Sequence, residues 1–136
     1  SSPKLQLFAS SADLEYSAGH VPAAASLLRQ ALLVDPNSLP VLRRLSFLLS
    51  SSKDATVRNG PEALALAQHA YQLDQGKHVD ILDSLACAEA NVNVFADAVK
   101  YEQQALAIAE KANATPVADA LRSHLTLFQN NQPVRE

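Results

Sequence analysis

The sequence of 136 residues predicts an all-α fold, a right-handed αα solenoid in which pairs of helices stack side by side. The first observation is a repeat, because two columns of alanines recur with the same offsets of 39 and then 35 residues. A period in the thirties is typical of helical repeat proteins. The second is composition, since 48% hydrophobic but only 5% aromatic residues favour closely packed helices over sheets. The columns are Ala24, Ala63 and Ala98, then Ala31, Ala70 and Ala105.

Small side chains in register have a direct packing consequence. Two helices approach closely only where the side chains at their contact are small. We therefore expect the first alanine column where the second helix of each pair crosses its own first helix. The second column is expected to face the helix that begins the following pair.

The apolar spacing predicts three helix pairs and one final helix within a single domain. The pairs occupy residues 5–37, 38–76 and 78–113, and the final helix 116–129. The seven helices are predicted at residues 4–18, 21–34, 39–51, 61–73, 79–91, 95–113 and 116–129.

The first pair is delimited by three residues with special backbone preferences. Gly19 ends the first helix, since glycine accepts the left-handed conformation that follows a helix. Pro22 stands in the first turn of the second helix, where a missing N–H costs nothing. Pro36 stops that helix, because proline disfavours helical geometry in the residue before it.

The second pair begins after Ser38, a residue type that caps helices. Leucines then recur with helical spacing, and residues 50–60 form the one long loop that the pattern predicts. Pro61 opens the fourth helix, and Gly76 turns the chain toward the fifth.

The third pair has Asn93 where the first has Gly19, and asparagine is the next-best residue for a left-handed turn. The final helix has no partner after it, so we expect it to cap the last hydrophobic edge of the array. Residues 130–136 are expected to fray.

Charge and composition exclude several kinds of function. The net charge is −3 and no block of Lys and Arg occurs, so a nucleic-acid surface is not predicted. No window of 18 apolar residues occurs, so no membrane contact is expected from this segment. Cys87 is the only cysteine and excludes an internal disulfide. The chain contains no methionine, and we interpret it as a fragment of a longer protein, which leaves its localisation open.

Residues at one consensus spacing recur in all three pairs. They are Phe8, Ala12, Gly19, Ala24, Leu28, Ala31 and Pro36 in the first, Leu42, Leu45, Ala63, Ala67 and Ala70 in the second, and Leu82, Leu85, Ala86, Phe95, Ala98 and Ala105 in the third. In this pattern the chain resembles the tetratricopeptide repeat (TPR) family. The resemblance implies three TPR-like helix pairs and a C-terminal capping helix.

The resemblance also implies a protein-interaction or scaffold function, with a peptide or protein segment bound in a concave groove and no catalysis. The groove residues that it implies are Asp13, Arg43, Phe47, Asp80, Asp83 and Cys87. Their acidic members favour a basic or mixed peptide over an acidic one. The plainer alternative is that these are ordinary solvated helix residues.

Two further interpretations stay open. The last third of the chain also resembles the TPR tails of large bacterial membrane glycosyltransferase-like proteins, which would make the chain a C-terminal accessory domain. Self-association through an uncovered end of the array is the other.

The sequence predicts no metal, no cofactor and no enzyme. Four histidines, His20, His69, His78 and His124, lack the spacing of a zinc motif. Cys87 has no neighbouring base in sequence, so it is interpreted as a small packing residue. The three glycines all occupy predicted turns, and none belongs to a phosphate-binding loop.

Overall fold

The computed structural model describes residues 2–136, which are all-helical, with seven α-helices and no strand in that range. Three of the predicted helices have the predicted bounds, and the others differ by one or two residues at an end. Between residues 2 and 136, no helix is both long and apolar enough to cross a membrane. The helices are α1 Pro3–Ser17, α2 Val21–Val34, α3 Leu39–Ser51, α4 Gly60–Asp74, α5 Val79–Asn91, α6 Phe95–Lys111 and α7 Thr115–Gln129.

Local signals explain why the helices begin where they do. Five of them, α1, α2, α3, α4 and α7, carry proline in the first turn. Side chains cap two of these, because Ser2 Oγ accepts from the Leu5 N–H at 3.1 Å and Asn59 Oδ1 accepts from the Glu62 N–H at 3.1 Å. Ser38 precedes α3 as predicted, but its hydroxyl makes no capping hydrogen bond within the described chain.

The turns within the first and third helix pairs use left-handed residues, whereas the loop within the second pair, residues 52–59, has none. Gly19 has φ +84° after α1, and Asn93 has φ +66° after α5, which confirms that the two residues occupy equivalent turns. Asn113 repeats the conformation between α6 and α7 with φ +56°. Glycine and asparagine adopt this conformation more readily than other residues, so the repeat extends to the turns of these pairs.

The helices form a repeat-like array. Each helix packs against the next along the chain, and in addition α3 packs against α5 and α5 against α7. The buried apolar residues fall into four clusters spread along this array.

The alanines of both columns are buried. All six alanines are at most 1% exposed. Ala70 lies in a cluster with Leu42 of α3 and Ile81 of α5, and Ala105 in one with Leu82 and Leu121. Ala70 and Ala105 are therefore packed between the first helix of their own pair and the helix that follows, which includes the neighbour expected from the sequence.

The end of the chain differs from prediction. Residues 130–136, called the C-terminal segment below, do not fray but fold back onto α3 and α5. Val134 is only 3% exposed and belongs to a cluster with Phe47 and Phe128. The segment makes long-range contacts that no local pattern in its own sequence indicates.

Candidate functional site

The C-terminal segment completes the end of α3. The last four carbonyls of any helix lack partners within it. In α3 the Leu48 and Leu49 carbonyls accept from the N–H groups of Ser52 and Asn59. The other two carbonyls, of Ser50 and Ser51, accept hydrogen bonds from residues that lie 85 positions later in the sequence. The Arg135 guanidinium donates to the Ser50 carbonyl at 3.1 Å, and the Glu136 N–H donates to the Ser51 carbonyl at 2.8 Å.

Electrostatics favour a cation at this position. The C-terminal end of a helix carries a partial negative charge, so arginine is stabilised there. Arg58 from the loop before α4 also donates to the Ser52 carbonyl, at 2.7 Å. Burial and the neighbouring Arg58 lower the pKa of Arg135, which nonetheless stays a charged donor.

A cavity of about 300 Å³ lies beside the docked segment, between α1, α2 and α3. Ala24, Leu28 and Leu48 supply apolar walls, and Glu136 lies at its edge. Apolar walls with a few polar groups at the rim are the usual makeup of a binding pocket.

Three of the residues implied for partner binding line this cavity, namely Asp13, Arg43 and Phe47. Asp13 pairs with Arg44 at 3.1 Å, and Arg43 pairs with Asp80 at 3.3 Å. Asp13 on the rim and the neighbouring Asp80 are therefore each matched by an arginine. Exposed pairs of this kind contribute little to stability, about 0–1 kcal/mol, and exchange readily with other charged partners.

Of the remaining three implied residues, Asp80 lies outside this cavity and pairs with Arg43. Asp83 and Cys87 lie under the C-terminal segment rather than on an open groove. The Asp83 side chain is 19% exposed and Cys87 is 1% exposed. Together with Glu102 and His124 they form what we call the His124 cluster, contributed by α5, α6 and α7.

His124 is the centre of this cluster. Its Nδ1 lies 2.8 Å from Asp83 Oδ1 and 3.4 Å from Glu102 Oε2. Its Nε2 lies 3.7 Å from Glu136 Oε1, so the cluster touches the C-terminal segment. The Cys87 thiol points at Asp83 Oδ1 across 3.9 Å.

The buried carboxylates and the imidazole perturb one another. Burial alone would lower the pKa of His124, but Asp83 and Glu102 raise it to about 10. Burial raises the pKa of the Glu102 carboxyl to about 9, although His124 opposes the change. Burial would also raise the pKa of Asp83, yet the His124 hydrogen bond lowers it overall.

The thiol of Cys87 is not activated in this setting. Burial and the neighbouring Asp83, Glu102 and Glu136 carboxylates raise its pKa well above the ordinary value. A nucleophilic cysteine needs the opposite shift, toward the thiolate. The cluster thus holds a thiol, an imidazole and two carboxyl groups out of water, but no ready nucleophile.

Sequence reasoning missed Glu102 and His124, although each carried a signal. Glu102 lies on the buried face of α6 with Ala98, Ala105 and Ala109, at three- and four-residue spacing. A carboxylate on the apolar face of a helix predicts a polar partner in the core. His124 likewise falls between the buried Leu121 and Phe128 of α7.

Comparison with protein-family models finds no match to this chain, and comparison with curated proteins finds none either.

Proposed function

We propose that the chain is a protein-interaction module of the TPR type, without catalysis of its own. In this proposal the helices form a right-handed solenoid of three helix pairs and a capping helix. An extended peptide segment binds across the C-terminal end of α3 and the adjoining part of α5, with the cavity between α1 and α3 as an extension.

The observation that carries the proposal is the position of the C-terminal segment. It docks on α3 and α5 through one buried apolar side chain and hydrogen bonds to backbone carbonyls, contacts that a separate peptide can also make. One apolar side chain, Val134, is buried, while a backbone N–H and an arginine reach carbonyls of α3. A partner peptide offering an apolar residue followed by a basic one would satisfy the same groups.

The cavity extends this recognition. Its rim carries both signs of charge, with Asp13 paired to Arg44, and with Arg43 paired to Asp80 just outside the cavity. A partner with mixed charge can replace each internal pair with an intermolecular one, whereas a strongly acidic or strongly basic partner would leave one sign unmatched. Phe47 supplies apolar contact area at the boundary between the cavity and the segment.

The test uses a synthetic peptide with the sequence of residues 130–136 and the full chain carrying Val134→Asp. A charge at the buried position undocks the internal segment and leaves its length unchanged. A tethered segment competes at an effective concentration in the millimolar range. We therefore expect the labelled peptide to bind the variant at least about tenfold more tightly than the unmodified chain, measured by fluorescence anisotropy.

The matched control is Gln132→Asp, which adds the same charge at an exposed position of the segment. It should leave the internal segment docked and peptide binding as weak as in the unmodified chain. If the Val134→Asp variant is folded by circular dichroism yet binds no peptide, this face is not a peptide site.

A further inference from the structure

We infer that the His124 cluster is a binding site for one divalent transition metal ion of the zinc type, with Asp83, Cys87, Glu102 and His124 as its four ligands. The site lies beneath the C-terminal segment, next to the proposed peptide-binding face, but all four ligands come from α5, α6 and α7 and none from that segment.

The possible metal-donor atoms of the His124 cluster lie close together. One ligand atom each from Asp83, Cys87 and His124 lies within 4.8 Å of the others. The closest approaches are 2.8 Å between His124 and Asp83, 3.4 Å between His124 and Glu102, and 3.9 Å between Cys87 and Asp83. Ligands of a tetrahedral zinc ion at about 2.0–2.3 Å are separated from one another by roughly 3.3–3.7 Å. Asp83, Cys87 and His124 therefore need only small side-chain adjustments, whereas Glu102 lies outside this group of three and must turn toward it.

The burial of the Glu102 carboxyl group also favours a bound cation, independently of the spacing of the donor atoms. Its side chain is 0% exposed, and neither carboxylate oxygen makes a hydrogen bond of good geometry in the described part of the chain, although Oε2 forms a 3.4 Å ion pair with His124 Nδ1. A buried polar group without a partner costs about 1–3 kcal/mol, and more when charged. A cation placed among the four side chains supplies the partner that these oxygens lack.

The donor set selects the class of metal. A thiolate and an imidazole favour zinc-like ions, whereas calcium and magnesium prefer oxygen ligands alone. Four protein ligands in a buried position give a closed, structural kind of site rather than one with an open position for water. Coordination releases the thiol proton of Cys87, the Nδ1 proton of His124 and the carboxyl proton of the buried Glu102 to solvent.

The surroundings of His124 fit the role of a ligand. When Nδ1 binds a metal, the other ring nitrogen usually donates to a carboxylate that fixes the ring. Here Nε2 lies 3.7 Å from Glu136 Oε1. The C-terminal segment thereby also covers the site.

The experiment is a titration of the full, chelator-treated chain with Co²⁺ alone, followed by absorbance. We expect one equivalent to bind, with visible bands of tetrahedral cobalt and a near-ultraviolet thiolate-to-cobalt band. Cys87→Ser should abolish the thiolate band. Glu102→Gln keeps the shape of the neutral side chain and should weaken Co²⁺ binding at least about tenfold, as loss of a ligand contact does.

The matched control is His69→Gln, because His69 is another histidine on the array, outside the His124 cluster. It should bind Co²⁺ like the unmodified chain. The inference is overturned if the unmodified chain gives no thiolate band, or if Glu102→Gln leaves the affinity unchanged. Cys87→Ser cannot be used if circular dichroism shows that it is unfolded. The metal site is then tested by the Co²⁺ affinity of Glu102→Gln and by whether zinc raises the Tm of the unmodified chain. Absence of that rise counts against the site.

Discussion

Replacing Ala63 by leucine should strongly destabilise the array. Ala63 is 0% exposed and lies in the alanine column at the α3–α4 crossing. Its carbonyl accepts a hydrogen bond from the Ser46 hydroxyl of α3 at 2.9 Å, so the two helices are fixed at close range there. Three additional carbons have no space and must push the helices apart.

The magnitude follows from two contributions. Overpacking a filled core costs about 1–3 kcal/mol. Stretching the buried hydrogen bond between Ser46 and the Ala63 carbonyl adds about 1 kcal/mol. The free energy of unfolding should thus fall by about 2–4 kcal/mol. At roughly 4 °C per kcal/mol for a chain of this size, Tm should drop by roughly 8–16 °C.

Thermal and urea unfolding followed by circular dichroism would measure the change. The matched control is Ala65→Leu, the same substitution two residues along α4 at an exposed position, where we expect a change within about 0.5 kcal/mol. Equal stability of the two variants would show that the α3–α4 crossing has room for a large side chain, and the packing argument would fail.

Three further predictions concern single groups. Val134→Ala removes two buried carbons, worth about 1.6 kcal/mol of hydrophobic free energy. The loss should undock the C-terminal segment and leave the helices folded. Hydrogen exchange of the Glu136 amide should therefore accelerate while Tm hardly changes. A fall in Tm as large as that expected for Ala63→Leu would contradict this. Asp74 raises the pKa of His78 through a hydrogen bond, so the pair stabilises the fold below the ordinary histidine pKa, and this stability is lost as pH rises through the raised value. An NMR titration should show a lower His78 pKa in Asp74→Asn, and an unchanged one would be the opposing result. Burial raises the pKa of the Glu89 carboxyl to about 7, so the folded state favours its protonated form. The contribution of Glu89 to the free energy of unfolding is therefore complete below about pH 4.5 and is lost as pH rises to about 7. Glu89→Gln should flatten the dependence of stability on pH in that window, and an unaltered slope would contradict the assignment.

Helices and their ends were predictable because their determinants are local. Prolines in first turns, Gly19 and Asn93 at left-handed positions, and apolar spacing all act within a few residues. The alanine columns were predictable for a related reason, since close helix contacts require small residues wherever they recur.

The C-terminal segment and the His124 cluster were not predictable in the same way. Asp83 and His124 are 41 residues apart, and Arg135 reaches a carbonyl 85 residues away. Such contacts depend on how α3, α5 and α7 are placed relative to one another. A polar segment with one valine carries no periodic signal of its own. Its docking is explained by the unpaired carbonyls of α3 together with the burial of Val134, and neither is visible in the segment's sequence.

The most direct test of the proposed peptide site is to locate a bound peptide on the chain. Backbone NMR spectra of the Val134→Asp variant would be recorded with and without unlabelled peptide of residues 130–136. The account predicts shift changes concentrated at the end of α3, around Phe47, Ser50 and Ser51, and at Cys87 of α5. Changes confined to other helices, or no changes in a folded variant, would contradict it.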